Sequence, residues 1–174
     1  ALVLREAIRE GVTTAEIDEL AEREIRSRGA VPSFKGYTAG GDVPFPATIC
    51  ASINEEVVHG IPGERALVDG DLITVDMGLI YGGYHADHAF TVAVGQVEER
   101  VKALLLATEE SLAKGIELMR AGNRVGDIGY AIQRHVEPLG FGVVREYVGH
   151  GIGRRLHEPP SVPNFGRPGK GSLL

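Results

Sequence analysis

Two stretches of the chain place their apolar residues at helical spacing. Residues 9–29 and 120–140 superpose at an offset of 111 residues, which pairs Ile17 with Ile128 and aligns glycines at both ends of the two stretches. Each stretch therefore predicts an amphipathic helix that ends at a glycine. The alternative is a chance agreement between two amphipathic helices.

The same comparison predicts an internal repeat. A further helix is predicted before each stretch, over residues 1–10 and about 98–120, and strand-like sequence follows each one. One unit would then be two helices followed by an antiparallel sheet, with halves of about 1–95 and 98–174. We expect a single α+β domain that is cut at both ends, with about 45 residues of the second sheet following Leu174.

Residues 72–94 predict a β-hairpin, because β-branched and apolar residues flank a Tyr-Gly-Gly turn. With the turn at Tyr81-Gly82, Asp76 and Asp87 would lie directly opposite each other on one face, with Cβ atoms ~5 Å apart. Such carboxylates share a proton or bind cations, and they suit a pair of divalent metals. The alternatives are a solvent-facing pair, or a one-residue register slip that separates the two side chains.

Three histidines lie beside glycines in strand-like sequence. His59 is predicted at the end of a strand, His150 stands between two glycines that allow close backbone approach, and His157 is followed by Glu158. Each alone is more often a structural histidine than a ligand. Together with the two aspartates they form a candidate metal or catalytic site.

The other histidines and the single cysteine carry weaker signals. His85 has no such context, His88 is predicted on the face opposite Asp87, and His135 is predicted to be structural. Cys50 cannot form an internal disulfide, which fits a reducing cytosol.

Composition excludes some classes of function. The formal charge of −6 is spread along the chain, so no basic nucleic-acid footprint is expected. No apolar run approaches the ~20 residues of a membrane span, and no signal-peptide pattern is present. We expect a cytoplasmic protein that binds neither nucleic acid nor membrane.

Three motifs together resemble the type I methionine aminopeptidases. They are NEEVVHGIP at 54–62, VDMGLIYGGYHADHAFTV at 75–92 and YVGHGIGRRLHEPP at 147–160, and the loop EPPSVPNFGRPGKG adds to them. The resemblance covers residues 13–174 and extends to proline-specific aminopeptidases and prolidases. It implies the pseudo-twofold pita-bread fold, and the absence of a large insertion in the second helix pair fits type I.

The resemblance implies a dinuclear metal site. Asp76 would chelate one divalent ion, Asp87 would bridge both, and His150 would bind the second, with cobalt, manganese, iron or zinc as the metals. Two glutamates that complete the site would follow Leu174. The segment around Asn54 also resembles a loop that binds a monovalent cation through its carbonyls.

The resemblance also implies roles for residues that do not bind metal. His59 would contact the amino-terminal side of the substrate or assist proton transfer, and His157 would bind the scissile carbonyl oxygen. A metal-bridging water would attack that carbonyl, with one of the glutamates as general base. Phe34, Phe45 and Cys50 would line the methionine pocket.

The implied activity is removal of the initiator methionine from nascent, ribosome-associated polypeptides whose second residue is small, by a monomer. Without the two glutamates, the 174-residue chain itself is expected to bind metal weakly at one site and to show little or no turnover. Two features depart from the family: a few extra residues in the TAGGDVP loop at 38–44, predicted at the pocket mouth, and His88 in place of a small hydroxyl residue. The alternatives are a proline-directed peptidase and a non-catalytic binding protein on the same fold.

Overall fold

The computed structural model describes residues 1–38 and 42–174, so part of the loop at 38–44 lies outside the described residues. Contacts divide the chain into two compact units. Unit 1 contains Ala1–Glu98 and Ile152–Leu156, and unit 2 contains Glu99–Gly151 and His157–Leu174. Within the described ranges, no helix combines the length and apolar character that a membrane crossing requires.

Unit 1 begins with two helices, α1 (Leu2–Ala7) and α2 (Thr14–Ser27). Helix α1 is shorter than predicted, because the backbone becomes extended at Ile8. Helix α2 begins with a capping box, in which Thr13 Oγ1 accepts a hydrogen bond from the Glu16 N–H and the Glu16 carboxylate accepts one from the Thr13 N–H. These paired bonds satisfy backbone donors that a helix start leaves without intrahelical partners.

The sheet of unit 1 is antiparallel and centred on one strand. Its strands are β1 (Val31–Pro32), β2 (Ile49–Ile53), β3 (Leu72–Tyr81) and β4 (Tyr84–Ala93), and β3 pairs with the other three. One face of β3 enters the core, where Ile73 and Val75 are completely buried against residues of both helices, such as Leu4 and Ile17. Because side chains alternate along a strand, Thr74 and Asp76 lie on the opposite face.

Unit 2 contains α3 (Glu99–Glu117), α4 (Val125–Val136), a short 3₁₀ helix (Glu137–Leu139) and the antiparallel strands β5 (Gly149–Gly151) and β6 (Glu158–Val162). The two long helices approach closely through small residues. A Cβ at Gly115 of α3 would lie only 3.0 Å from the Ile132 Cδ1 atom of α4.

The sequence repeat has a local counterpart in backbone conformation. The Asp127 carboxylate accepts from the Arg124 N–H at 2.7 Å, as the Glu16 carboxylate accepts from the Thr13 N–H at 2.8 Å. The glycines aligned at the ends of the two stretches are all left-handed, with φ of 84° and 94° for the first pair and 73° and 81° for the second. Helices α2 and α4 therefore share a carboxylate cap at the start and a left-handed glycine before and after the helix.

One buried hydroxyl in unit 1 lacks a partner among the described residues. Thr48 is fully buried and its Oγ1 makes no hydrogen bond. Its backbone N–H and that of Ile49 both donate to Asp18 Oδ1, at 2.8 and 2.9 Å. The backbone N–H groups of Thr48 and Ile49 are therefore hydrogen-bonded, whereas the Thr48 hydroxyl is not.

We expect Thr48→Val to raise the free energy of unfolding by about 1 kcal/mol, because it removes a desolvated hydroxyl at nearly constant shape. The measurement is urea denaturation followed by circular dichroism. Thr14→Val is the matched control: Thr14 is also buried, but its hydroxyl donates to the Gly63 carbonyl and accepts from the Gly63 N–H. That control should lose about 1–3 kcal/mol. If Thr48→Val lowered the free energy of unfolding more than Thr14→Val did, the Thr48 hydroxyl would not be an unsatisfied group.

Candidate metal centre

The register of the β3–β4 hairpin differs from the prediction. Asp87 pairs with Gly78 and not with Asp76, so the predicted direct opposition of the aspartates is wrong. The turn residues are Gly82 and Gly83, with φ of 58° and 82°. Two-residue hairpin turns of this kind need positive φ at both central positions, which places the turn one residue later than predicted.

The correction leaves both aspartates on the same face of the sheet. The pairing shifts by two residues, an even number, so Asp76 and Asp87 become diagonal neighbours, and their carboxyl groups are hydrogen-bonded. Burial and the charge of Asp87 raise the pKa of Asp76 to about 7. Two hydrogen-bonded carboxyl groups provide the oxygen donors that a divalent cation prefers, so the pair fits a metal.

Cys50 extends the aspartate face onto the neighbouring strand, where it pairs with Asp76. Burial, followed by the charges of Asp76 and Asp87, raises the pKa of the Cys50 thiol to about 12. The sulfur also lies within hydrogen-bonding reach of the His59 backbone N–H. Cys50 is therefore a protonated, apolar wall residue beside the aspartates, and it is not poised as a nucleophile.

His59 lies in a loop and not at a strand end as predicted, because β2 stops at Ile53. Val58 and His59 both adopt left-handed backbone conformations, with φ of 44° and 55°, which are uncommon for residues with side chains. The loop returns to β2 through Gly60, whose carbonyl accepts from the Ala51 N–H at 2.9 Å. Only glycine fits there, since a Cβ would lie 2.3 Å from the Ala51 oxygen.

The three predicted pocket residues come together in unit 1. Phe34 and Cys50 are buried in one apolar cluster, Phe45 packs against it, and Leu156, which was not predicted, completes it. The Phe34 ring lies directly over β3, where a Cβ on Gly78 would come within 2.6 Å of Phe34 Cε1. Because Gly78 pairs with Asp87, the apolar cluster adjoins the aspartate face.

In unit 2, His150 lies in β5 and its tautomer is fixed by a local bond. His150 Nδ1 is 2.9 Å from the Gly151 carbonyl oxygen, which can only accept, so Nδ1 carries the proton. In a neutral ring the lone pair is then on Nε2, and a neutral imidazole is the form that binds metals. The ring of His157 lies 4.2 Å away between centroids, at 54°. Within the ranges 1–38 and 42–174, no group of three or more His, Cys, Asp or Glu side chains is arranged to hold a metal.

His85 was missed by the sequence analysis. It stands two residues before Asp87 and so shares its face, and its Nδ1 is hydrogen-bonded to Ser33 Oγ at 2.9 Å. The two-residue period along the strand was the signal that could have found it. His88 lies on the opposite face, as predicted, and His135 bonds to a glutamate of α3.

Comparison with known proteins places this chain in a family. The model of metallopeptidase family M24 matches residues 1–173, and the chain belongs to that family. It is 54% identical over 173 residues to the methionine aminopeptidase of Clostridium acetobutylicum, an alignment that covers 99% of this chain and 67% of that protein. The chain thus spans about two thirds of the length of that relative.

Solved structures agree on the fold. The methionine aminopeptidase of Thermotoga maritima superposes with a TM-score of 0.94 at 42% identity, covering 99% of this chain and 68% of that one. A prolidase from Pyrococcus horikoshii superposes at 0.80 with 23% identity, over 99% of this chain and 46% of that one, which shows the fold alone. The predicted α+β pita-bread class and the predicted family are confirmed.

We expect the metal-free chain to lose stability as pH rises from about 4 to about 7. A carboxyl whose pKa is raised on folding, as that of Asp76 is from 3.8 to about 7, binds its proton more tightly in the folded state. The contribution of this carboxyl to stability is complete below its pKa in the unfolded chain. It is lost as pH rises through its pKa in the folded protein. Asp76→Asn should flatten this slope and, at pH 8, exceed the wild type by on the order of 2 kcal/mol.

Urea denaturation in the presence of a chelator, repeated across this pH range, measures the effect. Asp69→Asn is the control, because Asp69 is an exposed carboxylate whose contact to the Gln96 N–H can be kept by an amide oxygen. If the free energy of unfolding depends on pH equally in the wild type and in Asp76→Asn, the pKa of Asp76 is not raised on folding.

Proposed function

We propose that this chain carries the metal-binding core of a methionine aminopeptidase, a hydrolase that removes the amino-terminal methionine from polypeptides. The observation that carries the proposal is the hydrogen-bonded pair of Asp76 and Asp87 beside an apolar cluster. Carboxylate oxygens hold hard divalent cations, and a neighbouring apolar pocket can hold an unbranched thioether side chain. Unit 1 therefore supplies part of a metal-binding site and an apolar surface beside it.

We propose Asp76, Asp87 and His150 as ligands of two divalent ions of the cobalt, manganese, iron or zinc class. The hydrogen bond of His150 Nδ1 and the hydrogen bond between the two aspartates support this assignment. Divalent ions in such a site lower the pKa of water towards neutrality, which supplies a nucleophile at cellular pH. Two further carboxylate ligands would complete the set.

The chain's own residues would bind and orient the substrate. Phe34, Phe45 and Cys50 would surround the methionine side chain, and the protonated thiol of Cys50 adds no charge to that surface. His59 would face the amino-terminal side of the substrate. His157 would donate a hydrogen bond to the scissile carbonyl oxygen and stabilise the charge that develops there.

Finer features of the function are proposed in the same way. We propose that the substrates are nascent chains with a small second residue, that the enzyme acts in the cytoplasm as a monomer, and that the loop around Asn54 binds a monovalent cation through its carbonyls. The formal charge of −6 gives little attraction to RNA, which favours peptide over nucleic acid as the ligand.

Two other functions on this fold remain alternatives. A proline-directed peptidase would use the same aspartates with a different pocket, and the structural likeness to a prolidase supports only the shared fold. A non-catalytic binding protein would be expected to lack metal ligands. The presence of Asp76, Asp87 and His150 argues against that alternative.

We expect the complete gene product, with Mn²⁺ or Co²⁺, to release methionine from Met-Ala-Ser and to leave Leu-Ala-Ser and Ala-Pro-Ala nearly uncut. Asp87→Asn should lower kcat/KM by a factor of at least about 100, because it removes a charged ligand of both ions. Asp69→Asn, a change of the same chemistry at the exposed Asp69, should leave the rate unchanged. Chromatography of the released amino acids measures the cleavage of all three peptides.

The outcomes separate the alternatives. Cleavage of Ala-Pro-Ala in place of Met-Ala-Ser would assign the chain to the proline-directed branch, and no cleavage of any peptide would favour a binding protein. The 174-residue chain should bind Mn²⁺ weakly at one site in calorimetry and turn over little substrate. Full activity of that chain with added metal would contradict the need for further ligands.

A further inference from the structure

The apolar cluster has two walls that come from separate segments. Phe34 follows β1 and Leu156 ends the segment Ile152–Leu156, and neither residue lies in a strand. Cys50, on β2, lies in the same cluster. The distance between the walls therefore depends on what fastens these two irregular segments to the sheet.

His85, at the tip of the β3–β4 hairpin, is bonded to both segments. Its Nδ1 is hydrogen-bonded to Ser33 Oγ at 2.9 Å, next to Phe34 in the chain. Its backbone N–H donates to the Gly153 carbonyl at 2.8 Å, three residues before Leu156. One residue thus holds the supports of both walls.

The contacts on either side strengthen this arrangement. The Arg154 guanidinium lies 5.2 Å from the centre of the Tyr84 ring and donates to Tyr84 Oη at 3.3 Å. The Ser33 N–H donates to the Gly78 carbonyl at 2.9 Å, which fixes the position of Phe34 above that glycine. The hairpin is therefore hydrogen-bonded to each segment at more than one position. The imidazole of His85 links the first segment to β4.

We propose that His85 is a positioning residue that sets the spacing between Phe34 and Leu156, and through it the selectivity for the amino-terminal side chain. The side chains of methionine and leucine have the same number of non-hydrogen atoms and differ in branching, so selectivity between them depends on the shape of walls that do not yield. The statement about selectivity rests on the proposed function, whereas the statement about wall spacing does not.

The rate at which Cys50 is chemically modified reports on the spacing between the walls. It is the only cysteine of the chain and is 5% exposed within the apolar cluster. In the metal-free 174-residue chain at fixed pH, His85→Ala should raise the rate of Cys50 modification by methyl methanethiosulfonate about three- to tenfold, the effect of losing one hydrogen bond. Mass spectrometry follows the rate, and a rate independent of low urea concentrations identifies a local opening.

Matched variants separate positioning from general loss of stability. His88→Ala alters the opposite face of the same strand and should leave the labelling rate unchanged. Ser33→Ala should reproduce the effect of His85→Ala, and the double variant should add nothing to either. His85→Asn keeps a polar group near the Nδ1 position and should restore most of the protection.

Failure of this inference is distinguishable from failure of the proposed function. Wild-type labelling in His85→Ala would overturn the positioning role, whichever peptides are cleaved. In the complete gene product, His85→Ala should lower the ratio of kcat/KM for Met-Ala-Ser over Leu-Ala-Ser at least threefold, and an unchanged ratio with faster labelling would overturn the link to selectivity. Faster labelling in a protein whose wild type cleaves no methionine peptide would support the spacing role and reject the enzyme assignment.

Discussion

The site depends on the repulsion between two carboxylates that the hairpin holds side by side. Asp76 and Asp87 cannot move apart, because β3 is paired with β1, β2 and β4 at once. A sheet braced on both sides of this strand keeps the oxygens in place whether or not a cation neutralises them. The raised pKa of Asp76 reflects the unfavourable burial of its charge beside Asp87, and a divalent ion bound by the pair would offset that unfavourable energy.

The two faces of β3 have different roles. Ile73 and Val75 are buried among the helices and fix the strand, while Asp76 and Gly78 face the site. The missing side chain at Gly78 matters as much as the charge at Asp76, because it lets the Phe34 ring approach the carboxylates. The aspartate pair and the apolar cluster therefore both depend on neighbouring positions on one face of β3, and a shift of that strand would disturb both.

The sequence predicted which side chains share a face of the sheet better than it predicted which residues are in contact. The period of two along a strand placed Asp76 and Asp87 together even though the register was wrong by two residues, since an even shift preserves the face. The loop at His59 was missed because a left-handed residue with a side chain leaves no signal of the kind that glycine gives. Leu156 and the bonds of His85 were missed because they join segments that lie 52 or more residues apart, which no local pattern encodes.

Unit 1 is discontinuous, and this has a consequence for the order of synthesis. Its helices and four-stranded sheet are all encoded before Glu99, yet one wall of its apolar cluster is Leu156. As the chain leaves the ribosome, the aspartate hairpin can form well before that wall is available. Phe34 and Cys50 are then exposed on the open side until the later segment arrives, so the nascent chain passes through a stage at which this apolar surface is accessible to chaperones.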